Sequence, residues 1–313
     1  MHSRATNRDF RGVAEGNDRS NTIFRAFAEA YERHILLSAS VGKRSSNGFA
    51  AHLDIHSACL NACLEMIERD ALLKSWFRKK SPIKILKPSF LKKHLRAARR
   101  YGFNVNFYQI DTEWMTDNAL PLPIVLCIIR PVGKRGYFSR LLYPNHFEGR
   151  LVGFGCSFSL STAIWKSFRE ASLPAWYHYR ELPDFAPIEM IDRRKNVDHF
   201  KYYLNPSHVE AFDFIECEKL DSDIITGDTV KCSSNVLGNL TCLRENARRY
   251  NYSIAFKIFH RAEGSDNPFW VAIADIPQLQ DLWFGHTYKF IKEERLGRKE
   301  EIRRLQPWPH PIA

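Results

Sequence analysis

Residues 62–72, Ala62-Cys63-Leu64-Glu65-Met66-Ile67-Glu68-Arg69-Asp70-Ala71-Leu72, place two carboxylates three apart at the end of an apolar helical run. Residues at that spacing face the same side of a helix across one turn, so Glu65 and Glu68 repel each other unless a cation lies between them. The signature Glu-x-x-Glu-Arg also occurs upstream as Glu29-Ala30-Tyr31-Glu32-Arg33, again behind an apolar run (Phe24, Ala26, Phe27, Ala28). One copy alone reads as a solvated helix face with an i,i+4 ion pair. Two copies on two helices can also converge on Mg2+, which takes carboxylate and phosphate oxygens and keeps part of its water. Arg33 and Arg69 then stand where they pair with phosphate oxygens or with the same carboxylates.

The chain around these motifs has 313 residues, enough for one large domain or two ordinary ones. Apolar content of 44% and charged content of 26% are those of a globular protein. The longest apolar stretch, Leu120 to Ile129, is broken by Pro121 and Pro123 and is too short to span a bilayer. The N-terminus opens Met-His-Ser-Arg and lacks an apolar signal core, so a soluble cytoplasmic protein with no membrane partner is expected. Seven cysteines, odd in number and mostly in apolar segments, fit free thiols in a reducing compartment. His52, His56, Cys59 and Cys63 fall at helical intervals, but Asp54 reads as the cap of that helix. His52 then precedes the helix and the four lose a common face, which favours ordinary packing over zinc.

Net charge is +11, with a pI near 9.3. The basic residues gather at Arg78–Lys80, Lys92–Arg100 and Lys289–Arg304. Charge alone would allow a nucleic-acid-binding protein. The clusters carry no binding motif, and no aromatics are interleaved with them for base stacking, so nucleic acid is the distant alternative. A basic face equally attracts an acidic peptide or nucleotide phosphates.

An internal echo runs through the chain. A helix over about Pro88 to Arg100 stops at Tyr101-Gly102 and leads into a strand at Val105–Ile110, and a second strand follows at Ile124–Ile129. Later a helix over about Val236 to Tyr250 stops at Asn251 and leads into Ser253–Ile258, then Trp270–Ile276. Gly and Asn are the usual left-handed helix stops. Ser161 is expected to cap a further helix over Thr162–Ala171, carrying Phe168-Arg169-Glu170. This predicts an α/β protein with repeated helix-strand units in one continuous domain over residues 13–306. Residues 1–12 are expected to form a flexible N-terminus, and residues 307–313 a proline-rich tail.

Ser46-Asn47-Gly48-Phe49-Ala50-Ala51, followed by the quoted Ala62–Leu72 stretch, resembles the YcaO family, whose pattern there is Ser-x-Gly-x-Ala and then a helix ending Glu-x-x-Glu-Arg-Asp-Ala. Gly16 with Ala26–Arg33 is similar to the family's first motif, and Gly155-Cys156-Ser157 with Ala163 through Glu170-Ala171 to its third. The resemblance covers roughly residues 13–313. It implies a YcaO-type fold around an ATP/Mg2+ cleft. It also implies an enzyme that phosphorylates a backbone amide oxygen of a peptide, making that oxygen a good leaving group. A Cys, Ser or Thr side chain, or an external nucleophile, then attacks the amide carbon, giving an azoline, thioamide or amidine. Such a transfer depends on charge neutralisation by metal and arginine more than on covalent help from the protein.

Carried over residue by residue, the resemblance makes Glu29, Glu32, Glu65 and Glu68 the metal carboxylates, with Glu65 and Glu68 catalytic. Ser46, Arg69, Arg33 and Glu170 become nucleotide contacts. The ending Pro307-Trp308-Pro309-His310-Pro311 is similar to the Pro-x-Pro-x-Pro tail of azoline-forming members, which assists proton transfer and makes His310 and Pro311 catalytic candidates. Several positions depart from the pattern: His52 and Leu53 replace Gly-Asn, Ser57 replaces an acid, Leu173 and Pro174 follow Glu170 where Glu-x-x-Gln is usual, and Ala272-Ile273-Ala274-Asp275 lacks a basic residue. The expected function is cyclodehydration of a ribosomally made precursor peptide in bacteriocin maturation, using ATP and Mg2+. A separate leader-peptide-binding partner is expected to deliver the peptide, and a homodimer stays open. The alternative is a degenerate scaffold or peptide-binding subunit without its own ATP turnover.

Overall fold

The computed structural model describes residues 2–3, 8–9, 18–38, 47–86, 88–112, 122–132, 149–180, 188, 197–217, 235–261, 269–284 and 288–312. In chain order its strands are β1 (His2–Ser3), β2 (Arg8–Asp9), β3 (Phe49–His52), β4 (Ile83–Ile85), β5 (Phe103–Ile110), β6 (Ile124–Pro131), β7 (Leu151–Cys156), β8 (Ala255–Arg261) and β9 (Phe269–Asp275). The helices are α1 (Arg19–Ser38), α2 (Ile55–Phe77), α3 (Lys92–Arg100), α4 (Leu160–Arg180), α5 (Val197–Tyr203), α6 (Asp213–Glu216), α7 (Val236–Arg249), α8 (Glu293–Leu296) and α9 (Lys299–Leu305).

The chain forms two compact units where the sequence suggested one continuous domain. Unit one takes residues 1–69 and 232–282, and unit two residues 70–231 and 283–313. Each unit draws on separate stretches, and one division falls inside α2, which explains why no linker is visible in the sequence.

In unit one the sheet runs β3-β9-β8, all antiparallel, with Ala51 opposite Val271. β1 and β2 form a separate short antiparallel pair. Asp18 starts α1 by accepting the Ser20 N–H at 3.1 Å, and Asp54 starts α2 by accepting the Ser57 N–H at 2.7 Å. The Asp54 cap is the one read from the sequence, and it leaves His52 on β3, before the helix. Cys63 lies fully buried in α2, where desolvation pushes its thiol up to about 12. The apolar side of α1 packs on the sheet: Phe24, Phe27 and Tyr31 meet the Phe269 ring edge-on at 5.7, 5.4 and 5.2 Å.

Unit two holds a four-stranded antiparallel sheet in chain order, β4-β5-β6-β7. Leu91, Val105, Phe107, Cys127, Ile164 and Phe168 are among the core side chains between this sheet and its helices. α4 approaches β7 closely enough to require glycine. A Cβ on Gly155 would meet the Ala163 carbonyl oxygen at 2.2 Å, and one on Gly153 the Ala171 nitrogen at 2.2 Å. Neither backbone can retreat as a flexible side chain could. Gly155→Ala is therefore expected to destabilise the protein by at least about 2 kcal/mol, read as a lower urea midpoint at unchanged slope.

The internal echo is present in both sheets. α3-β5-β6 and α7-β8-β9 follow the same order, and each helix stops at a left-handed residue, Gly102 (φ 83°) and Asn251 (φ 57°). Each sheet pairs a further strand on the second strand of this unit, the next in the chain (β7 on β6) in one and a distant one (β3 on β9) in the other, and each of these leads into a helix. The expected Ser161 cap is corrected. Ser159 starts α4, its carbonyl accepting the Ala163 N–H at 2.9 Å, while Ser161 Oγ bonds to Ser159 Oγ. α4 also runs on through Pro174 to Arg180, giving up the backbone bond a proline cannot donate.

Candidate functional site

Unit one brings Glu29, Glu32 and Glu65 into one electrostatic neighbourhood. Glu32, on α1, accepts the Ala51 N–H at 2.6 Å. Among the described residues β3 is an edge strand, so this carboxylate caps an amide that no further described strand reaches. The Glu32 carboxyl is pushed up to about 8, first by burial and then by the charge of Glu65, with Glu29 adding to it. The Ala51 N–H opposes the rise. Glu68 follows Glu65 one turn along α2 and is partly buried.

The two arginines of the motifs hold the outer acids. Arg33 pairs with Glu29, and Arg69 Nη2 lies 2.5 Å from Glu65 Oε1. Both pairs are i,i+4 with the acid first, the favourable order on a helix. The ion-pair reading and the clustered-carboxylate reading of the motif therefore coexist.

Arg69 has a second anchor that the sequence reading missed. Its Nη1 donates to Asn47 Oδ1 at 2.7 Å, and Asn47 Nδ2 donates to Asp281 Oδ1 at 3.3 Å. The only sequence signal for Asn47 was its place between Ser46 and Gly48, and Asp281 had none. Gly48 fixes this turn. It has φ +70°, and a Cβ there would meet the Met66 side chain at 2.7 Å and the Ala274 carbonyl oxygen at 3.0 Å. Its own carbonyl accepts the Ala274 N–H at 2.8 Å. Ser46 and Gly16 lie outside the described residues.

The donor set suits Mg2+. It is all carboxylate oxygen, and one carboxyl is so placed that it keeps its proton near neutrality, a cost that a divalent cation would remove. Among the described residues no three His, Cys, Asp or Glu side chains stand as a ready metal cage. Glu29 and Glu65 are turned toward their arginines and would have to turn back.

Glu170 lies in unit two, where its Oε2 accepts the Phe154 N–H of edge strand β7 at 2.7 Å. It repeats there what Glu32 does for β3. Its charge adds to the burial that raises the Cys127 thiol well above its ordinary range. Asp70, the acid that ends the second motif, is fully buried and holds Arg295 bidentately, with Arg295 Nε 2.8 Å from Oδ1. Arg78 donates to the carbonyls of Arg295 and Leu296 at 2.9 and 3.1 Å. This end of α2 thus anchors the C-terminal segment within unit two.

From Pro309 to Ile312 the tail is buried in unit two, and the carbonyls of residues 308–310 are taken in turn by side chains. Trp308 O accepts from Trp76 Nε1 at 3.3 Å, Pro309 O from the Tyr203 hydroxyl, and His310 O from His199 Nδ1 at 2.7 Å. The His310 ring, 1% exposed, stacks on His199 at 4.4 Å and directs Nε2 at the Trp283 carbonyl. A carbonyl only accepts, so Nε2 carries the proton. Pro311 lines a small cavity with Leu72, Trp76 and Phe154. Deleting residues 307–313 should lower the melting temperature by about 5–10 °C, from burial worth about 2–3 kcal/mol. A tail that served chemistry alone would leave melting unchanged.

The family model described as YcaO cyclodehydratase, ATP- and Mg2+-binding, matches residues 38–261. The chain belongs to the YcaO family. No curated protein matches it. Solved structures share the fold at low identity. The heterocyclase TruD is 14% identical with a TM-score of 0.54, over 86% of this chain and 33% of its own. The E. coli microcin synthetase McbBCD complex with pro-MccB17 bound gives 17% and 0.54, over 86% and 64%. YcaO from Methanopyrus kandleri bound with AMPPCP and Mg2+ gives 15% and 0.55, over 91% and 81%. The chain thus spans a third of TruD and under two thirds of the microcin synthetase chain. Among the described residues of this YcaO protein, no helix is long and apolar enough to cross a membrane.

Proposed function

We propose that this YcaO protein is an ATP-dependent cyclodehydratase that activates backbone amides of a ribosomally made precursor peptide, in the cytoplasmic maturation of a bacteriocin-like antibiotic. The observation that carries the reading is the Glu32 carboxyl, raised to about 8 first by burial and then by the charges of Glu65 and Glu29, acids of two different helices. Three acids forced together at that cost fit a cation site better than a solvated helix face. Glu29, Glu32, Glu65 and Glu68 would hold Mg2+, while Arg69, with Ser46 and Arg33, would meet phosphate oxygens. Mg2+-ATP, when bound, supplies the phosphoryl group that turns an amide oxygen into a leaving group. Glu170 keeps a structural duty on β7 beside any nucleotide contact. His310 and Pro311 would assist proton movement only from their buried positions in the tail. A partner protein that presents the peptide fits the reading, since a neighbour of this fold is a microcin synthetase complex with a pro-peptide bound.

A second reading, a scaffold without ATP turnover, is favoured by Leu173 and Pro174 in the third motif and by the arginines on the outer carboxylates. The two separate on incubation with ATP, Mg2+, a Cys/Ser/Thr-rich precursor peptide and its partner protein. The enzyme reading expects peptide mass to fall by one water per ring, with little turnover by the chain alone. Intact peptide and no nucleotide binding under any condition would leave the scaffold.

A further inference from the structure

We infer that Asn47 and Asp281 preset the Arg69 guanidinium for a nucleotide phosphate. The inference rests on the reading of unit one as the ATP site and names the residues that tune it. Arg69 is held at two points, by Glu65 at 2.5 Å and by Asn47 at 2.7 Å. Its side chain is 16% exposed, so it is mostly desolvated yet reachable. These contacts use two of its five N–H groups among the described residues, leaving donors in a fixed plane for an anion.

Asn47 suits this role chemically. It is 1% exposed and must accept from a cation on one side and donate to a carboxylate on the other. An amide does both, and its two partners dictate which end is oxygen. A carboxylate at position 47 would hold Arg69 equally well but would set a second negative charge beside it, after Glu65. The neutral amide orients the guanidinium without adding to that charge, so that once Glu65 turns to the cation the guanidinium keeps its charge for phosphate. Asp281 is exposed, so its part is to fix the Asn47 amide rather than to act at a distance. Asn47 and Asp281 are therefore positioning residues that act through Arg69.

The test is a double-mutant cycle on Mg2+-dependent binding of a non-hydrolysable ATP analogue, with adenosine competition and thermal melting alongside. Asn47→Ala should weaken analogue binding about tenfold, Asp281→Ala about two- to threefold, and the double variant no more than Asn47→Ala alone. Adenosine, which has no phosphate, should bind each variant as it binds the wild type. Asp281→Ala changes an exposed side chain, so it decides the matter even if Asn47→Ala folds poorly. Additive losses, equal loss of adenosine, or unchanged analogue binding in Asp281→Ala would each overturn the relay. Full analogue binding by Arg69→Gln would overturn the role of Arg69 and the inference with it, leaving the carboxylate site standing. No analogue binding by the wild type would remove the site reading itself.

Discussion

Glu65→Gln is expected to reduce ATP turnover at least about 100-fold, because it removes a negative ligand from the site that neutralises the transferring phosphate. Its fold should survive. Gln keeps the side-chain length, and the lost Arg69–Glu65 pair is one contact among those that hold α2. It also relieves the charge that Glu65 exerts on Glu32, so the metal-free protein should be no less stable. Loss of turnover with retained melting temperature supports a metal-ligand role. Unchanged turnover would mean that the pair Glu65–Arg69 is only a helix ion pair. Loss of turnover together with unfolding would mean that Glu65 is structural.

The second large effect is a pH dependence carried by Glu32. Its ordinary value is 4.5 and the folded environment pushes it up to about 8. Between those values the folded protein keeps a proton that the unfolded chain has released. The folded state binds more protons there, so stability falls as pH rises. The loss begins near pH 4.5 and is complete above about pH 8. At about 1.4 kcal/mol per pH unit it reaches at most about 5 kcal/mol. Glu32→Gln should flatten the decline while its amide oxygen still accepts from Ala51. Urea midpoints in chelator across pH 5–9, an interval of about the predicted fall, read this directly. A parallel decline in wild type and variant would show that Glu32 is not the titrating group. Added Mg2+ should restore stability on the alkaline side, since the ion favours the ionised carboxylate.

Much of the fold was legible because its signals are local. Asp54, Gly102 and Asn251 each act through one side chain or one backbone angle, and the structure uses all three as read. Ser159 was missed because serines at 157, 159 and 161 offer the same chemistry, and tertiary packing chooses among them. β3 was not read as a strand because Phe49-Ala50-Ala51-His52 has no alternation, and its pairing partner lies more than 200 residues away. The division into two units was illegible because it falls inside a helix and carries no linker.

The candidate site shows the same pattern. Glu29, Glu32 and Glu65 were visible as repeated helical spacing, and their shared field follows from that repeat. Asn47 and Asp281 were not visible, because a hydrogen bond between residues so far apart in sequence leaves no periodic trace. Asp70 belongs to the motif, but its spacing said nothing of Arg295, which closes on it from the far end of the chain.

The most direct measurement is calorimetric titration of the wild type with a non-hydrolysable ATP analogue, with and without Mg2+, repeated on Glu32→Gln and Glu65→Gln. If the carboxylates of α1 and α2 form a Mg2+-ATP site, the wild type binds the analogue only with Mg2+ and both substitutions abolish that dependence. Binding that is indifferent to Mg2+ and to both substitutions would contradict it.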